Sequence, residues 1–180
     1  MKLIKKMSMG ELGAYVQSHL RENGIEVVLS GGAAVGIYSG NKYVSKDLDF
    51  INIFAINRRT IRTAMEEIGF REDGRYFIHP DTEFFIEFPA GPLAIGSEPI
   101  HQVIEKEFST GMLELISPTD CVKDRLAAYY HWGDRQCLFQ AQLVANENPV
   151  DLEEIKRWSN SEEKLEEFER IKDQLGGYSK

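Results

Sequence analysis

The first 54 residues alternate between a helical and a strand-like spacing of apolar side chains. Between residues 12 and 20 the apolar positions fall three or four apart, which predicts a helix with one apolar face. Ser8 and Glu11 have the spacing of a capping box at the start of that helix. A run of β-branched and apolar residues at 25–30 then predicts a buried strand. This part of the chain therefore predicts a helix that packs on a sheet.

A second predicted strand begins at Asp47 and runs to about Phe54. A Gly31-Gly32 turn, a short helix or loop, and a polar loop at 40–46 separate it from the first strand. The same patterns predict further elements up to residue 116: a helix from an Asn57 cap to about Ile68, a hairpin of strands at 74–79 and 82–88, a loop at 89–99, and two short strands near 101–107 and 112–116.

The chain after residue 116 shows helical patterns throughout. Ser117-Pro118 is a strong helix opening, because serine caps free N–H groups and proline suits the first helical position. The predicted helices are 118–132, one from an Asp134 cap to about 146, 151–158 and 162–175. We therefore predict an α/β (α+β) fold: a small mixed sheet flanked by helices in residues 1–116, with a helical C-terminal section, 117–180, packed on it.

Composition narrows the class of protein. The chain has 180 residues with 42% hydrophobic residues, enough for one good core. A net charge of −8 argues against non-specific binding to nucleic acid by bulk charge. Cys121 and Cys137 show no metal-ligand spacing and are expected to be free thiols of a reducing compartment. No apolar run is long enough to span a bilayer, so we expect a cytoplasmic protein without a membrane partner.

Two carboxylates open the second strand on one face. Side chains alternate along a strand, so Asp47 and Asp49 point the same way with Cα atoms roughly 7 Å apart. The following residues are apolar on both faces, apart from Asn52, which indicates a buried strand. Neighbouring carboxylates that lose hydration need a proton, a cation or a basic partner. We interpret the pair as a Mg²⁺ site, with the glycine turn beside it holding phosphates.

A third carboxylate would complete such a site. Glu87 lies in the alternating run TEFFIEF, with apolar residues on both sides, so its charge also needs compensation. If that strand pairs beside the strand of Asp47, the three acids share a face. Glu83 is the competitor on the same face, and we prefer Glu87 because its flanks are more apolar.

Three segments together resemble the nucleotidyltransferase superfamily of the DNA polymerase β type. They are Leu29-Ser30-Gly31-Gly32, Asp47-Leu48-Asp49 and Phe85-Ile86-Glu87-Phe88. More narrowly, GGAAVGIYSGN and the later SKDLDF resemble small bacterial proteins related to the transferase-like toxins of abortive-infection toxin–antitoxin pairs.

The resemblance implies a role for each candidate residue. Asp47, Asp49 and Glu87 would be catalytic and would hold Mg²⁺ (or Mn²⁺). The residues that would bind the nucleotide are Ser30, Gly31, Gly32, Lys46 and Lys123. Many relatives carry arginine four residues before the first aspartate, where this chain has Tyr43, so that role would fall to Lys42 or Lys46.

The implied activity is metal-dependent transfer of a nucleotidyl group from a nucleoside triphosphate to an acceptor hydroxyl on tRNA, protein or a small molecule. A toxin with an antitoxin partner follows from the narrower resemblance. The alternative is an inactive, transferase-derived module that binds a partner such as an antitoxin, which Tyr43 and the acidic net charge favour. A kinase-like phosphotransfer is a third hypothesis, because the same metals would serve it.

Overall fold

A computed structural model describes residues 3–100 and 102–176 of the chain. Within those residues there are seven α-helices: α1 Met9–Glu22, α2 Gly31–Tyr38, α3 Arg58–Glu67, α4 Pro118–Trp132, α5 Arg135–Glu147, α6 Leu152–Ser161 and α7 Leu165–Ile171. The strands of the same residues are β1 Val27–Ser30, β2 Asp47–Asn52, β3 Arg71–Asp73, β4 Tyr76–Ile78, β5 Phe85–Glu87, β6 Ala94–Ile95, β7 Glu98–Pro99, β8 Val103–Phe108 and β9 Gly111–Ile116. None of the described helices is long and apolar enough to cross a membrane.

The sheet that carries the candidate site is mixed. Its seven strands lie in the order β3-β4-β5-β2-β1-β9-β8, and β6 pairs with β7 in a separate two-stranded sheet. β1 is antiparallel to β2 and parallel to β9, and β2 is parallel to β5. The α/β class and the small mixed sheet flanked by helices are confirmed.

Polar caps begin the helices where the sequence predicts them. Ser8 and Glu11 form the reciprocal capping box of α1, with the Ser8 N–H donating to Glu11 Oε2 over 2.8 Å and the Glu11 N–H donating to Ser8 Oγ over 3.3 Å. Asn57 caps α3, Ser117 caps α4 and Asp134 caps α5. Each cap satisfies an N–H group that has no partner inside its own helix.

One hydrophobic core joins the sheet to the helices that follow it. α1 packs on β9 and β1, and the buried Gln17 side chain of α1 ties them together. Its amide donates to the carbonyls of Val27 and Glu114 over 2.7 and 3.1 Å and accepts from the Glu114 N–H over 2.6 Å. α4 and α5 pack on α2, so the helical section meets the sheet through the helix that follows the glycine turn.

The structure corrects the prediction for three segments. The sequence does not predict β3, because Arg71–Asp73 is charged throughout and shows no apolar alternation; in the structure it pairs with β4. The loop expected over 89–99 contains the short β6–β7 pair, whose two-residue strands are too brief to produce a pattern. The helix expected over 162–175 begins only at Leu165, after Glu163 adopts a left-handed φ of 61°.

Other predicted elements are confirmed with shorter bounds. β4 and β5 form the antiparallel pair expected from the hairpin prediction, with Tyr76 opposite Glu87. The strand predicted from residue 101 is β8, which begins at Val103; residue 101 itself lies outside the described residues, as do residues 177–180 at the end of the predicted helical section.

Candidate functional site

The pairing of β2 with β5 decides where the three acids lie. In this parallel pair Asp47 is opposite Phe85 and Asp49 is opposite Glu87. Residues opposite one another share a face of the sheet, so Asp47, Asp49 and Glu87 all project to the same side. Leu48 projects to the other side, where its side chain lies against Gly13 of α1. The strand pairing that the sequence argument required is present.

Asp49 is the acid whose ionisation the fold disturbs most. Burial raises the pKa of Asp49 from 3.8 to about 6, and the negative charges of Glu87 and Asp47 act in the same direction. Arg125 of α4 opposes this shift, whereas its neighbour Asp124 adds to it. Since like charges that lose hydration favour the neutral form, the site holds a carboxylate that a cation would stabilise.

The glycine turn lies directly against Asp49. Gly31 has a φ of +66°, a conformation that L side chains rarely adopt, and it begins α2 immediately after β1. A Cβ built on Gly31 would lie 2.2 Å from Asp49 Oδ2. Glycine is therefore required at this position for two reasons: the positive φ angle, and the close approach of the Asp49 carboxylate.

Ser30 and Gly32 flank that turn. The Ser30 hydroxyl donates to the Asp49 carbonyl over 3.3 Å, so in this structure it bonds the neighbouring strand. A Cβ on Gly32 would lie 3.1 Å from Ser45 Oγ and 3.3 Å from the ring of Tyr43. Tyr43 thus lies beside the turn with an aromatic ring rather than a cation.

Glu87 has a basic partner. Its side chain is 18% exposed, and Glu87 Oε2 lies 3.5 Å from Nε of Arg75, a residue of the β3–β4 turn whose side chain is 67% exposed. In the described part of the chain, neither Asp47 nor Asp49 forms an ion pair with a lysine, arginine or histidine.

Two of the lysines considered for contacts with the nucleotide form ion pairs with glutamates. Lys46 Nζ pairs with Glu83 over 2.9 Å, and both side chains are well exposed. Lys42, the other lysine considered for the missing arginine, pairs with Glu147 of α5. Glu83, the competitor for the metal role, is thus engaged with a lysine.

Lys123 is nearly buried in an ion-pair cluster of α4 and α6. Its ammonium lies 2.9 Å from Asp120 Oδ1 and 3.1 Å from Glu154 Oε1. The cluster lines a cavity of about 430 Å³ whose lining residues include none of the three site acids. The structure therefore shows Lys123 with acids of the helical section, and its predicted role at the nucleotide stays a prediction.

Arg125 is the residue that the sequence argument missed. It lies on α4 with a side chain only 18% exposed, pairs with Asp124, and donates to Gln140 Oε1 of α5 over 3.3 Å. Its positive charge opposes the rise in the pKa of Asp49 that burial causes. The sequence carries one signal, because Arg125 stands four residues after Cys121 and so lies on the same helix face, but nothing in the sequence says that this face meets Asp49.

The donor set fits a hard divalent cation in chemistry. Mg²⁺ and Mn²⁺ prefer oxygen ligands, and each of the three acids offers a carboxylate on one face of the sheet. The half-buried Asp49 carboxyl favours a cation here, because burial raises its pKa to about 6 and its Oδ2 lies close to the backbone of Gly31. Across the described residues, however, no three His, Cys, Asp or Glu side chains are already arranged to hold a metal ion.

Comparison with known proteins supports the fold. No family model and no curated protein matches the chain. A nucleotidyltransferase-like protein from Paracoccidioides brasiliensis, described as antigenic, has a similar structure with a TM-score of 0.63 at 13% identity, over 93% of this chain and 91% of that one.

Two structures of the antibiotic-resistance factor ANT(2'')-Ia are also similar. Its solution structure has a TM-score of 0.54 at 13% identity, over 90% of this chain and 96% of that one. Its crystal structure in complex with adenylyl-2''-tobramycin has a TM-score of 0.53 at 13% identity, over 82% and 92% of the two chains. The chain therefore has a nucleotidyltransferase-like fold.

Proposed function

We propose that this chain transfers a nucleotidyl group from a nucleoside triphosphate to an acceptor hydroxyl, with Mg²⁺ or Mn²⁺ held by Asp47, Asp49 and Glu87. The observation that carries the proposal is the register of β2 and β5, which aligns Asp49 with Glu87 on the face that also carries Asp47. The likeness to nucleotidyltransferase structures supports the same reaction class.

The three carboxylates have distinct tasks in this reaction. A bound divalent ion supplies charge neutralisation at the attacking and leaving oxygens of the phosphoryl centre. Asp47 and Asp49 would hold it from β2, and Glu87 would hold it from β5. The acceptor oxygen forms a bond to the α-phosphorus, the bond from that phosphorus to the bridging oxygen breaks, and pyrophosphate leaves. In this proposal Glu87 also accepts the proton of the acceptor hydroxyl.

The turn and α4 would bind the triphosphate. Gly31, beside Asp49, and Gly32, beside Ser45 and Tyr43, offer backbone without side chains, so phosphate oxygens would be able to approach the main chain. We propose that Arg125, whose charge already acts on Asp49, neutralises phosphate charge, with Ser30 and Lys46 contributing once the nucleotide is bound. Lys123 retains this role as the alternative that the resemblance implies.

The acceptor is the open part of the proposal. The crystal structure of ANT(2'')-Ia contains an adenylylated tobramycin, which makes a hydroxyl of a small molecule one acceptor class to test here. A hydroxyl of tRNA or of a protein is the class implied by the toxin resemblance, together with an antitoxin partner that suppresses the activity.

Two labelled substrates separate the reaction classes. The protein is incubated with Mg²⁺, cell extract and each of the four nucleoside triphosphates, labelled on the α-phosphate or on the γ-phosphate. We expect α-label on one fraction of RNA, protein or small molecules, and γ-label in pyrophosphate. Transfer of the γ-label would indicate kinase-like phosphotransfer. Absence of transfer, combined with absence of metal-dependent nucleotide binding, would leave the inactive binding module.

A further inference from the structure

Arg75 contacts one of the proposed metal ligands. Its guanidinium Nε lies 3.5 Å from Glu87 Oε2. Arg75 stands in the turn between β3 and β4, next to Tyr76, which pairs directly with Glu87 in the sheet. The register of β4 and β5 therefore brings the turn that carries Arg75 next to Glu87.

Tyr76 holds the guanidinium in place. The Arg75 guanidinium lies over the Tyr76 ring, 4.7 Å from its centroid, and Nη2 donates to the Tyr76 hydroxyl. The Tyr76 ring in turn packs on Phe85, with ring centroids 5.6 Å apart. Stacking and hydrogen bonding to the neighbouring tyrosine restrict this long side chain to the edge of the acid cluster.

The other cations near the site have partners outside it. Lys46 pairs with Glu83, and Arg125 pairs with Asp124. Within the described residues, Arg75 is the cation whose ion pair includes one of the three proposed ligands.

We propose that Arg75 is a positioning residue that competes with the divalent ion for Glu87. This inference rests on the proposed function, because it requires a metal site at the three acids. In the metal-free protein Arg75 compensates the half-buried Glu87 carboxylate. The carboxylate cannot direct the same oxygen at a guanidinium and at a divalent cation without bringing two positive charges together, so the pair opens when the ion binds.

Tyr76 limits how far the arginine moves. Its contacts with Arg75 involve no metal ligand, so they persist when Glu87 is withdrawn. The guanidinium then stays at the rim of the site with its remaining donors free for an anionic group of a substrate, and in the empty protein it compensates the charge of Glu87.

The test measures Mn²⁺ binding to the nucleotide-free protein by electron paramagnetic resonance. The variants are Arg75→Ala and, as a matched control, Arg71→Ala. Arg71 is an exposed arginine of β3 that makes no ion pair in the described structure, so its loss removes the same charge without removing a contact to Glu87. We expect Mn²⁺ to bind Arg75→Ala roughly two- to fivefold more tightly than the wild type, the range for an exposed ion pair, and Arg71→Ala to change little.

Each outcome bears on one idea alone. Equal tightening in both variants would show a long-range charge effect and overturn the competition at Glu87, as would unchanged affinity in Arg75→Ala while the wild type binds Mn²⁺. If the wild type shows no Mn²⁺ binding that depends on Asp47 and Asp49, the proposed metal site fails before Arg75 is considered. An Arg75→Lys variant, which keeps the charge but loses the planar fork, is expected to fall between the wild type and Arg75→Ala.

Discussion

Asp49 is the residue at which stability and the proposed chemistry conflict most: the folded protein disfavours its negative charge, whereas metal binding requires that charge. It faces Glu87 from β5, Asp47 from its own strand, and the charged pair Asp124 and Arg125 from α4. The folded chain holds this carboxylate in a place that disfavours its charge. A residue of this kind weakens the fold at neutral pH, and a bound cation would relieve the cost.

Asp49→Asn is expected to stabilise the metal-free protein at pH 7. The folded pKa of about 6 lies above the ordinary value of 3.8, so the folded state binds the proton more tightly. The destabilisation is therefore fully present above pH 6 and disappears as the pH falls through 6 towards 4. We expect a gain of about 2–3 kcal/mol at pH 7 that shrinks towards zero at pH 4, measured by urea unfolding in EDTA. Asp73→Asn, at an exposed residue, serves as the control.

A gain that stays constant across this pH range would contradict the account, because it would arise from packing rather than from ionisation. The same result in Asp73→Asn would show a general effect of net charge.

Gly31→Ala is expected to disturb the site beyond its effect on the backbone. Alanine at a φ of +66° costs about 1–2 kcal/mol, and its Cβ would also displace Asp49 Oδ2. Gly24→Ala is the matched control, because Gly24 has a φ of +72° with no atom within 4 Å of the added Cβ. We expect both variants to lose stability, but only Gly31→Ala to lose Mg²⁺-dependent nucleotide affinity, by calorimetry. Equal nucleotide affinity in the two variants would mark a structural turn.

At the scale of secondary-structure elements, strand pairing and helix packing determine which of the candidate residues lie close together. The alternation of β2 and of the run before Phe88 predicts which residues of each strand share a face, because burial of the apolar neighbours requires it. That the three acids share one face depends on the pairing of β2 with β5, which the sequence could state only as a condition. The neighbours of Lys123 were harder to predict, since the side chains of a helix point in several directions. On α4, Lys123 and Arg125 stand two residues apart but point to different parts of the protein. Lys123 forms an ion pair with Glu154 of α6, whereas the charge of Arg125 acts on the pKa of Asp49.

Lys123→Met is expected to act on stability first. The ammonium compensates Asp120, which is 8% exposed, so its removal leaves a buried carboxylate with the Ser117 hydroxyl as its remaining partner. Glu154 is less affected by the loss of Lys123, because it keeps its hydrogen bonds from Arg157. Those bonds are the main reason that its pKa lies at about 2, and the bond from Lys123 contributes less. We expect a loss of about 3 kcal/mol in the free energy of unfolding. Lys46→Met, at an exposed pair, should cost less than about 1 kcal/mol.

The contrary result is equally clear. Unchanged stability of Lys123→Met together with lost nucleotide affinity would support the phosphate role that the resemblance implies.

At the scale of the whole molecule, sheet and helical section share one core. Buried residues of β1, such as Leu29, belong to the same hydrophobic cluster as Trp158 of α6 and Phe168 of α7. Trp158 also donates to the Ile95 carbonyl over 3.4 Å, which joins α6 to the β6–β7 segment. The sequence indicated the change from α/β to all-helical near residue 116, but not this joining, because contacts between distant segments leave no local pattern.

The shared core predicts a single unfolding transition. Trp158 is fully buried and Trp132 is 79% exposed, so a Trp132→Phe variant makes Trp158 fluorescence report on the helical section. We expect that signal and far-ultraviolet circular dichroism, which follows the whole chain, to change at the same urea concentration. Separate midpoints would show that residues 117–180 unfold independently of the sheet.

Strand order is the other property that only the assembled molecule shows. The pairing of β1 with β9 joins residues more than eighty positions apart, and no turn motif in the sequence predicts it. The candidate site could be proposed from the sequence because its strands, β1, β2 and β5, carry their own chemical signals. Arg75 and Arg125 could not be assigned, because their importance depends on which elements the fold brings next to the acids.

The central claim is that carboxylates from two strands bind a divalent ion beside the glycine turn, and a calorimetric titration tests it most directly. Each nucleoside triphosphate is titrated, with Mg²⁺ and then with EDTA, into the wild type, the Asp47→Asn, Asp49→Asn double variant and Asp73→Asn as the surface control. We predict metal-dependent binding of at least one nucleotide in the wild type and the control, and its loss in a double variant that is folded and at least as stable. Nucleotide affinity that survives in the double variant, or that ignores EDTA, would contradict the account.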